Sequence, residues 1–567
     1  MSAAAASCPC RAARAQGTMA LQVPCLAMPC TYTVSPEIDQ APDEHVDRIS
    51  AFACGTPKKV CVVGAGMSGL AAARELRLVG LAVTVMEQCS DVGGQWLYDP
   101  RTDADDPLGA TAPVKVHSSM YASVRLVSPR ECMGFSDFQF VPRPGRDARR
   151  FPGHREVYHY LKDFVAAFGL ADVVKLNTKV VRVAMAPPSP LSPPPRACSA
   201  GGGYKWLVIT RHVEPDGEEG VDVEEVFDAV VVANGHYSQP RLPSIKGMDT
   251  WRRRQLHSHS YRVPEPFRDE VVVVVCCGES GLDIATELCG VAKEVHLTAN
   301  SVEEATSPAA MVTKMLANHA GDIQLRPPVD RLCGGGDDDG TVVFADGSSV
   351  AADSVIYCTG YTYSFPFLDT GGVVAVEDNR VGPLYEHTFP PAMAPSLSFV
   401  GVPTRIFAPW FFEAQARWIA LVLSGRKTLP PELEMVRAVH EDYRAREAAG
   451  VPVRHTHAIP AVDDKEICEF VYRNSDLPRM EEWKMELFMI GFVNTMEDRE
   501  TFRDRDDDTE NVREGLRRWR RESVGQYEAA LAAAAASGGG DAACAGDAET
   551  AMAADSISSL KFSTEQH

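Results

Sequence analysis

The stretch "KKVCVVGAGMSGLAAARELRLVGLAVTVMEQ", residues 58 to 88, restricts the fold more than any other part of the chain. A short apolar run ends in Gly64, Gly66 and Gly69, an alanine-rich helix follows, and a second apolar run ends in Glu87. Each position has a chemical reason. Gly64 permits a tight turn, Gly66 lets backbone approach a pyrophosphate, and Gly69 lets the helix close on the strand. Ala65, Met67 and Ser68 complete the turn, and the helix N-terminal amides hold phosphate. Glu87 lies 18 residues after Gly69, where a carboxylate accepts hydrogen bonds from both ribose hydroxyls of an adenosine, with Gln88 beside it. Strand, turn, helix, strand and terminal acid together read as an adenine-dinucleotide site.

The plan recurs more loosely in "VVVVVCCGESGLDIATEL", residues 271 to 288. Gly278, Ser280 and Gly281 supply the later part of the turn, but Cys276 stands where the first glycine belongs. A small residue is tolerated there if its backbone stays at negative φ; the other reading is a structural relic that binds nothing. The next strand ends in Thr298, Ala299, Asn300 and Ser301 without an acid. A carboxylate would repel a 2′-phosphate, so its absence favours NADPH over NADH, although no arginine stands at that spot. The closing strands repeat as well: "DAVVVANG" (228 to 235) and "DSVIYCTG" (353 to 360), the second ending in Thr359 and Gly360. This duplication predicts an α/β fold of two dinucleotide-binding, Rossmann-like domains, the second inserted into the first. The discontinuous first domain is expected over residues 57–240 and 361–527, and the inserted domain with its linker over 241–360.

Three segments read as unstructured. Residues 1–56 have no acid before Glu37 and are rich in alanine, which fits a plain extension of a cytoplasmic protein and also permits a plastid transit peptide. The Pro-then-Gly run at 187–203 reads as a surface insertion in the first domain, and residues 528–567 as an Ala/Gly/Ser tail. A net charge of -21 argues against nucleic acid as a partner, and no apolar stretch is long enough to span a bilayer. The sixteen cysteines follow no C-x-x-C frame and read as reduced thiols. No metal site is expected: Cys8 and Cys10 with Cys25 or Cys30 lack completing ligands, as do His257 and His259.

Longer stretches carry a resemblance. "VGGQWLYDP", "HSSMYASVR", "PRECMGFSDF", "VVVANGHYSQPRLP", "YCTGYTYSFPFL" and "FFEAQARWIALVLSGR" occur in the order found in flavin-containing monooxygenases. Residues 57 to 527 resemble that family, most closely its plant members that S-oxygenate glucosinolates. The family signature F-x-G-x-x-x-H-x-x-x-Y, with Trp accepted first in plants, is similar to "WRRRQLHSHSY", where Trp251, His257 and Tyr261 match and Arg253 replaces glycine. The resemblance implies an NADPH-dependent enzyme in which NADPH reduces FAD, reduced flavin traps O2 as a hydroperoxide, and a small molecule with a soft nucleophile, a thioether sulfur or an amine nitrogen, takes one oxygen. That FAD and NADPH carry the chemistry agrees with finding no Ser/His/Asp set or paired carboxylates. It also implies that Gly64, Gly66, Gly69 and Glu87 hold the FAD adenosine half, that Gly93, Gly94, Gln95 and Trp96 line the same cofactor, and that Gly278, Ser280 and Gly281 meet NADPH. Thr359 and Gly360 fall in the motif linking the domains, and Glu413 and Gln415 approach the flavin ring. A disulfide reductase would need a C-x-x-x-x-C pair after the first turn, and Cys89 and Cys132 are too far apart for one.

The departures raise a second reading. Family members commonly carry an asparagine over the flavin in a run like R-T-N-L-P-R-E; here the run is "RLVSPRE", with Val127 at that position and Ser128 next to it. Valine donates no hydrogen bond, so an interaction of about 0.5–1.5 kcal/mol is lost unless Ser128 substitutes. Val127, Arg253 and Cys276 together leave a divergent enzyme or a weakened flavoprotein, one that acts as an NADPH oxidase or only binds FAD.

Overall fold

The computed structural model describes residues 57–187, 204–214, 219–306, 311–335, 339–459 and 464–537. The possible transit peptide and nearly all of the 187–203 insertion lie outside the described residues. Two five-stranded parallel sheets organise the chain. In the first, Leu397–Phe399, Ala229–Val232, Lys59–Val63, Ala82–Met86 and Val174–Lys175 lie side by side in that order. In the second the order is Ile323–Arg326, Glu294–Thr298, Val271–Val275, Ser354–Tyr357 and Arg254–His257. Every strand of the second sheet thus falls between two neighbouring strands of the first.

The central strands are valine runs buried along their whole length, as parallel strands covered on both faces must be. Matching registers bring the strand ends together: Val63 pairs with Met86, and Leu297 with Val274. Each sheet therefore presents its glycine turn at its carboxyl edge, where open α/β sheets bind ligands.

The first helix, Met67–Leu78, is buried along most of its length and is tied to helix Ala408–Leu423 by the Arg74–Glu413 ion pair at 2.6 Å. An antiparallel meander of Thr178–Met185, Trp206–Val213 and Glu219–Phe227 joins the third strand of the first sheet to the fourth. Ala186 N–H donates to the Lys205 carbonyl at 2.8 Å, so the proline-rich insertion leaves from the end of a hairpin.

The tail departs from expectation. Helix Glu510–Ser537 continues ten residues beyond the point where the sequence reads as unstructured. Alanine has the highest helix propensity, and Tyr527 anchors the helix by stacking on Phe138 at 4.4 Å and donating to Asp163 at 2.6 Å. Among the described residues no helix is long and apolar enough to cross a membrane.

Candidate functional site

The first glycine turn is closed by backbone. Gly64 adopts φ +101, and its N–H donates to the Met86 carbonyl at 2.8 Å. A Cβ on Gly69 would stand 1.9 Å from the Gly64 carbonyl oxygen, so no larger residue fits. Gly66 caps the helix at φ -75 and ψ -174. Glu87, 5% exposed, accepts from the Ala65 amide at 2.7 Å and the Cys89 amide at 2.9 Å. It thereby ties the strand end to the turn. A cavity of about 520 Å³ opens here. Gly64, Gly66, Met67, Ser68, Glu87 and Gln88 line one side of it, and Gly93, Gly94, Gln95 and Trp96 another. Ala65 and Gly69 lie behind that lining as its support. Helix N-terminal residues and a strand-end carboxylate lining one cavity are the donor set that an adenine dinucleotide requires.

Other lining residues were not legible in the sequence as site residues. His236 follows the "VVVANG" strand and lines the cavity. Its Nδ1 donates to the Gly401 carbonyl at 2.8 Å, which leaves Nε2 as a buried lone pair with no partner; burial lowers its pKa, so the ring stays neutral. His117, Met133, Lys179, Arg405, Ile406 and Phe412 also reach the cavity. The N-terminus of helix Ala408–Leu423 faces it through Ala408, an arrangement that favours negative charge on whatever is bound there.

The second turn repeats the first almost angle for angle. Gly278 caps its helix at φ -78 and ψ -173, and a Cβ on Gly281 would lie 2.0 Å from the Cys276 carbonyl oxygen. Ser280 sits in the first turn of that helix. Cys276 corrects the expectation of negative φ: it adopts φ +83, in the region Gly64 occupies. Closing the helix on the strand dictates the turn, so the cysteine accepts left-handed backbone at a cost of about 1–2 kcal/mol. Its N–H donates to the Thr298 hydroxyl at 3.0 Å. Arg499 holds the helix start from the C-terminal segment, pairing with Glu279 at 2.6 Å and Asp283 at 2.9 Å.

Several expected site residues stand elsewhere. Val127 is 47% exposed, and neither it nor Ser128 lines the cavity; Leu126 on one side and Pro129 with the Arg130–Cys132 turn on the other are buried, which leaves Val127 facing outward. Glu413 and Gln415 are buried and do not line the cavity either. Glu413 binds Arg74 and accepts from the Ser136 amide at 2.7 Å, while Gln415 accepts from the Gly401 amide at 3.1 Å and donates to the Thr388 hydroxyl at 2.9 Å. Gln415 therefore acts on the cavity through Gly401. Thr359 and Gly360 flank Arg241, whose Nε and Nη2 donate to the Thr359 carbonyl at 3.1 and 2.8 Å. Arg253 is a strut that donates to the Ala352 carbonyl at 3.0 Å and pairs with Asp353 at 3.2 Å. No cluster of metal ligands occurs among the described residues.

Residues 57–307 and 312–481 match the family described as flavin-binding monooxygenase-like, and residues 226–391 match the pyridine nucleotide-disulphide oxidoreductases. The chain is 49% identical over 464 residues to the Arabidopsis thaliana flavin-containing monooxygenase GS-OX-like 8, spanning 81% of this chain and 94% of the relative. It is 42% identical over 453 residues to the Arabidopsis enzyme GS-OX5, spanning 79% and 92%. Among solved structures, the S-allyl-L-cysteine S-oxygenase of Allium sativum superposes with a TM-score of 0.71 at 41% identity, over 82% of this chain and all but 1% of that one, which is covered to 99%. The Tmm protein of a Pelagibacter strain shares the fold at a TM-score of 0.61 and 22% identity. The chain belongs to the flavin-binding monooxygenase-like family and is an oxidoreductase that takes FAD and NADPH as cofactors and oxygenates a heteroatom of a small molecule with O2.

Proposed function

We propose that the substrate is a thioether, oxygenated at sulfur, and that FAD lies along the cavity of the first turn while NADPH enters at the second. One observation favours sulfur over amine nitrogen. The only carboxylate lining the cavity among the described residues is Glu87, which stands at the first glycine turn, tied to the Ala65 and Cys89 amides, where the adenosine ribose is expected. An alkylamine is a cation at neutral pH and finds no counter-ion there, whereas a thioether needs none. Trp96, Met133, Ile406 and Phe412 give an apolar wall that suits sulfur and keeps water out. The relative named as an S-allyl-L-cysteine S-oxygenase points the same way.

Bound FAD supplies the two-electron chemistry that couples NADPH and O2 to the sulfur. The chain's own residues position and protect it. The Gly64–Gly69 turn offers backbone to phosphate, Glu87 faces the adenosine ribose, the Ala408 helix end favours negative charge at the cavity, and His236 Nε2 is free to accept a hydrogen bond. Turnover of purified holoenzyme with NADPH on a thioether and on a tertiary amine, with peroxide counted, tests the reading. Sulfoxide as the main product supports it; faster amine oxidation overturns it, and peroxide as the only product returns the weakened-oxidase reading.

A further inference from the structure

The helix that follows the second glycine turn opens with an acid. Glu279 is the residue after the Gly278 cap, its side chain 62% exposed, and Asp283 lies one turn further on. The helix of the first turn has no acid in that place. A carboxylate there suits the helix dipole, but it puts negative charge where the amides would receive a pyrophosphate. Arg499 neutralises it. Its side chain is 4% exposed, and its Nη1 pairs with Glu279 at 2.6 Å. Nη2 and Nε donate to one oxygen of Asp283 at 2.9 and 3.1 Å, and Nη2 also donates to the Glu279 carbonyl at 3.2 Å. The other Asp283 oxygen accepts from the Tyr121 hydroxyl at 2.8 Å. The guanidinium is buried and spent on the helix start, so it acts on a bound phosphate through Glu279. The segment around it is held on two sides. Asp498 pairs with Lys314 at 2.6 Å, and Glu500 meets Asn318 and His319 at 2.6 Å each, which fastens it to helix Met311–Asn318 and the residue after it. On the other side Phe502 packs edge-on against Phe151 at 5.3 Å, and Arg503 donates to the Leu126 carbonyl at 3.0 Å. All of this lies beyond residue 481, where the match to the family ends.

We propose that Arg499 is a positioning residue for NADPH: by neutralising Glu279 it leaves the start of helix Glu279–Leu288 able to take the pyrophosphate of an anionic cofactor. This rests on the reading above that NADPH enters at the second turn, and it adds a residue from outside both nucleotide turns to that site. Without the guanidinium the Glu279 carboxylate stands unopposed within several ångströms of the phosphate position, a repulsion large enough to weaken binding about tenfold.

Equilibrium dialysis of NADP+ against the FAD-loaded wild type and its variants tests this without turnover. Arg499→Gln raises Kd by about tenfold, Glu279→Gln lowers it by about threefold, and the double variant returns to within about threefold of wild type, because the charge that Arg499 opposed is gone. Flavin reduction at saturating NADPH, followed by stopped flow, stays within about twofold in all three, as expected of a residue that sets binding and not the hydride step. Asp498→Asn loosens the same segment without changing the charge at the turn, and leaves Kd within about twofold of wild type. An unchanged Kd for Arg499→Gln, a double variant as weak as the single one, or an equal loss in Asp498→Asn overturns the proposal; the last two would show that the arginine only holds the segment in place. Should Arg499→Gln not fold, Glu279→Gln decides, since its side chain is exposed: tighter NADP+ binding upholds the proposal, and equal or weaker binding overturns it. Gly281→Ala in the same dialysis checks the underlying reading. An unchanged Kd there means that NADP+ binds elsewhere, and both readings fall; a raised Kd there beside an unchanged Arg499→Gln value overturns the role of Arg499 alone.

Discussion

The Cys276 amide donates to the Thr298 hydroxyl at 3.0 Å and so closes a left-handed turn without glycine. In the first domain the same bond runs from Gly64 to a backbone carbonyl of the neighbouring strand, so the side chain of Thr298 does what a main chain does elsewhere. Thr298→Val keeps the shape, removes the acceptor and leaves a part-buried N–H unpaired, at about 1–3 kcal/mol. Cys276→Gly acts in the opposite direction, relieving about 1 kcal/mol of left-handed strain. Urea unfolding of the two variants should show shifts of opposite sign, and equal shifts would refute the shared role.

Gly69 and Gly281 occupy equivalent places in two turns and, on the proposed reading, serve different cofactors. A Cβ at either meets a carbonyl oxygen at 1.9 or 2.0 Å, so alanine must push the helix off its strand. Gly69→Ala is expected to purify with little or no flavin. Gly281→Ala should keep the yellow colour yet lose NADPH-driven bleaching by about 100-fold, the scale that an ångström of misplacement costs. Flavin absorbance and stopped-flow reduction separate the two outcomes.

Gln415 is buried with its amide spent on Gly401 and Thr388. Gln415→Leu leaves both partners unsatisfied, costing about 1–3 kcal/mol, and frees Gly401, whose carbonyl orients His236. Weaker FAD retention on dialysis together with a lower unfolding midpoint is the expected result. Val127→Asn is the contrasting case. At 47% exposed and away from the cavity lining, it should leave peroxide formed per NADPH unchanged, which a coupled peroxide assay checks.

Both nucleotide turns were legible in the sequence because each needs particular residues at fixed spacing: backbone that lies 2 Å from a would-be Cβ permits only glycine. The conformation of Cys276 was not, since the φ of a turn is set by the helix and strand it joins and not by the residue that occupies it. Nor could the sequence place Arg405 or His236 at the cavity. Both follow strands of the first sheet, and only the pairing of Ala229–Val232 with Leu397–Phe399 brings their loops to one edge. Glu413 and Gln415 were visible as polar residues on an apolar helix, but the side of the helix on which they find partners depends on Arg74, Ser136, Gly401 and Thr388, all remote in sequence. The 528–537 stretch read as a tail because alanine has little to bury, whereas its helix is seeded upstream by Tyr527.

Buried neutral histidines fix the acid limit of the fold. Burial, and then the neighbouring His259, hold His257 down to about 3, and burial, and then Arg262, hold His259 down to about 4. Both are at most 4% exposed. His457 lies well below its ordinary range for the same first reason, with His387 against it at 2.9 Å. In the unfolded chain each titrates near 6.5. Between about pH 6.5 and 4 the unfolded state therefore binds protons that the folded state refuses, and stability rises with pH there. It is fully present above about pH 7 and is lost as pH falls, by up to about 1.4 kcal/mol per pH unit for each histidine. Carboxylates held below their usual range, such as Asp498 at about 2 beside Lys314, add their loss only at lower pH. The unfolding midpoint in urea should thus be flat from pH 7 to 8 and fall steadily from 6.5 to 5, and a midpoint unchanged across that lower interval would show that these rings accept protons without opening the fold.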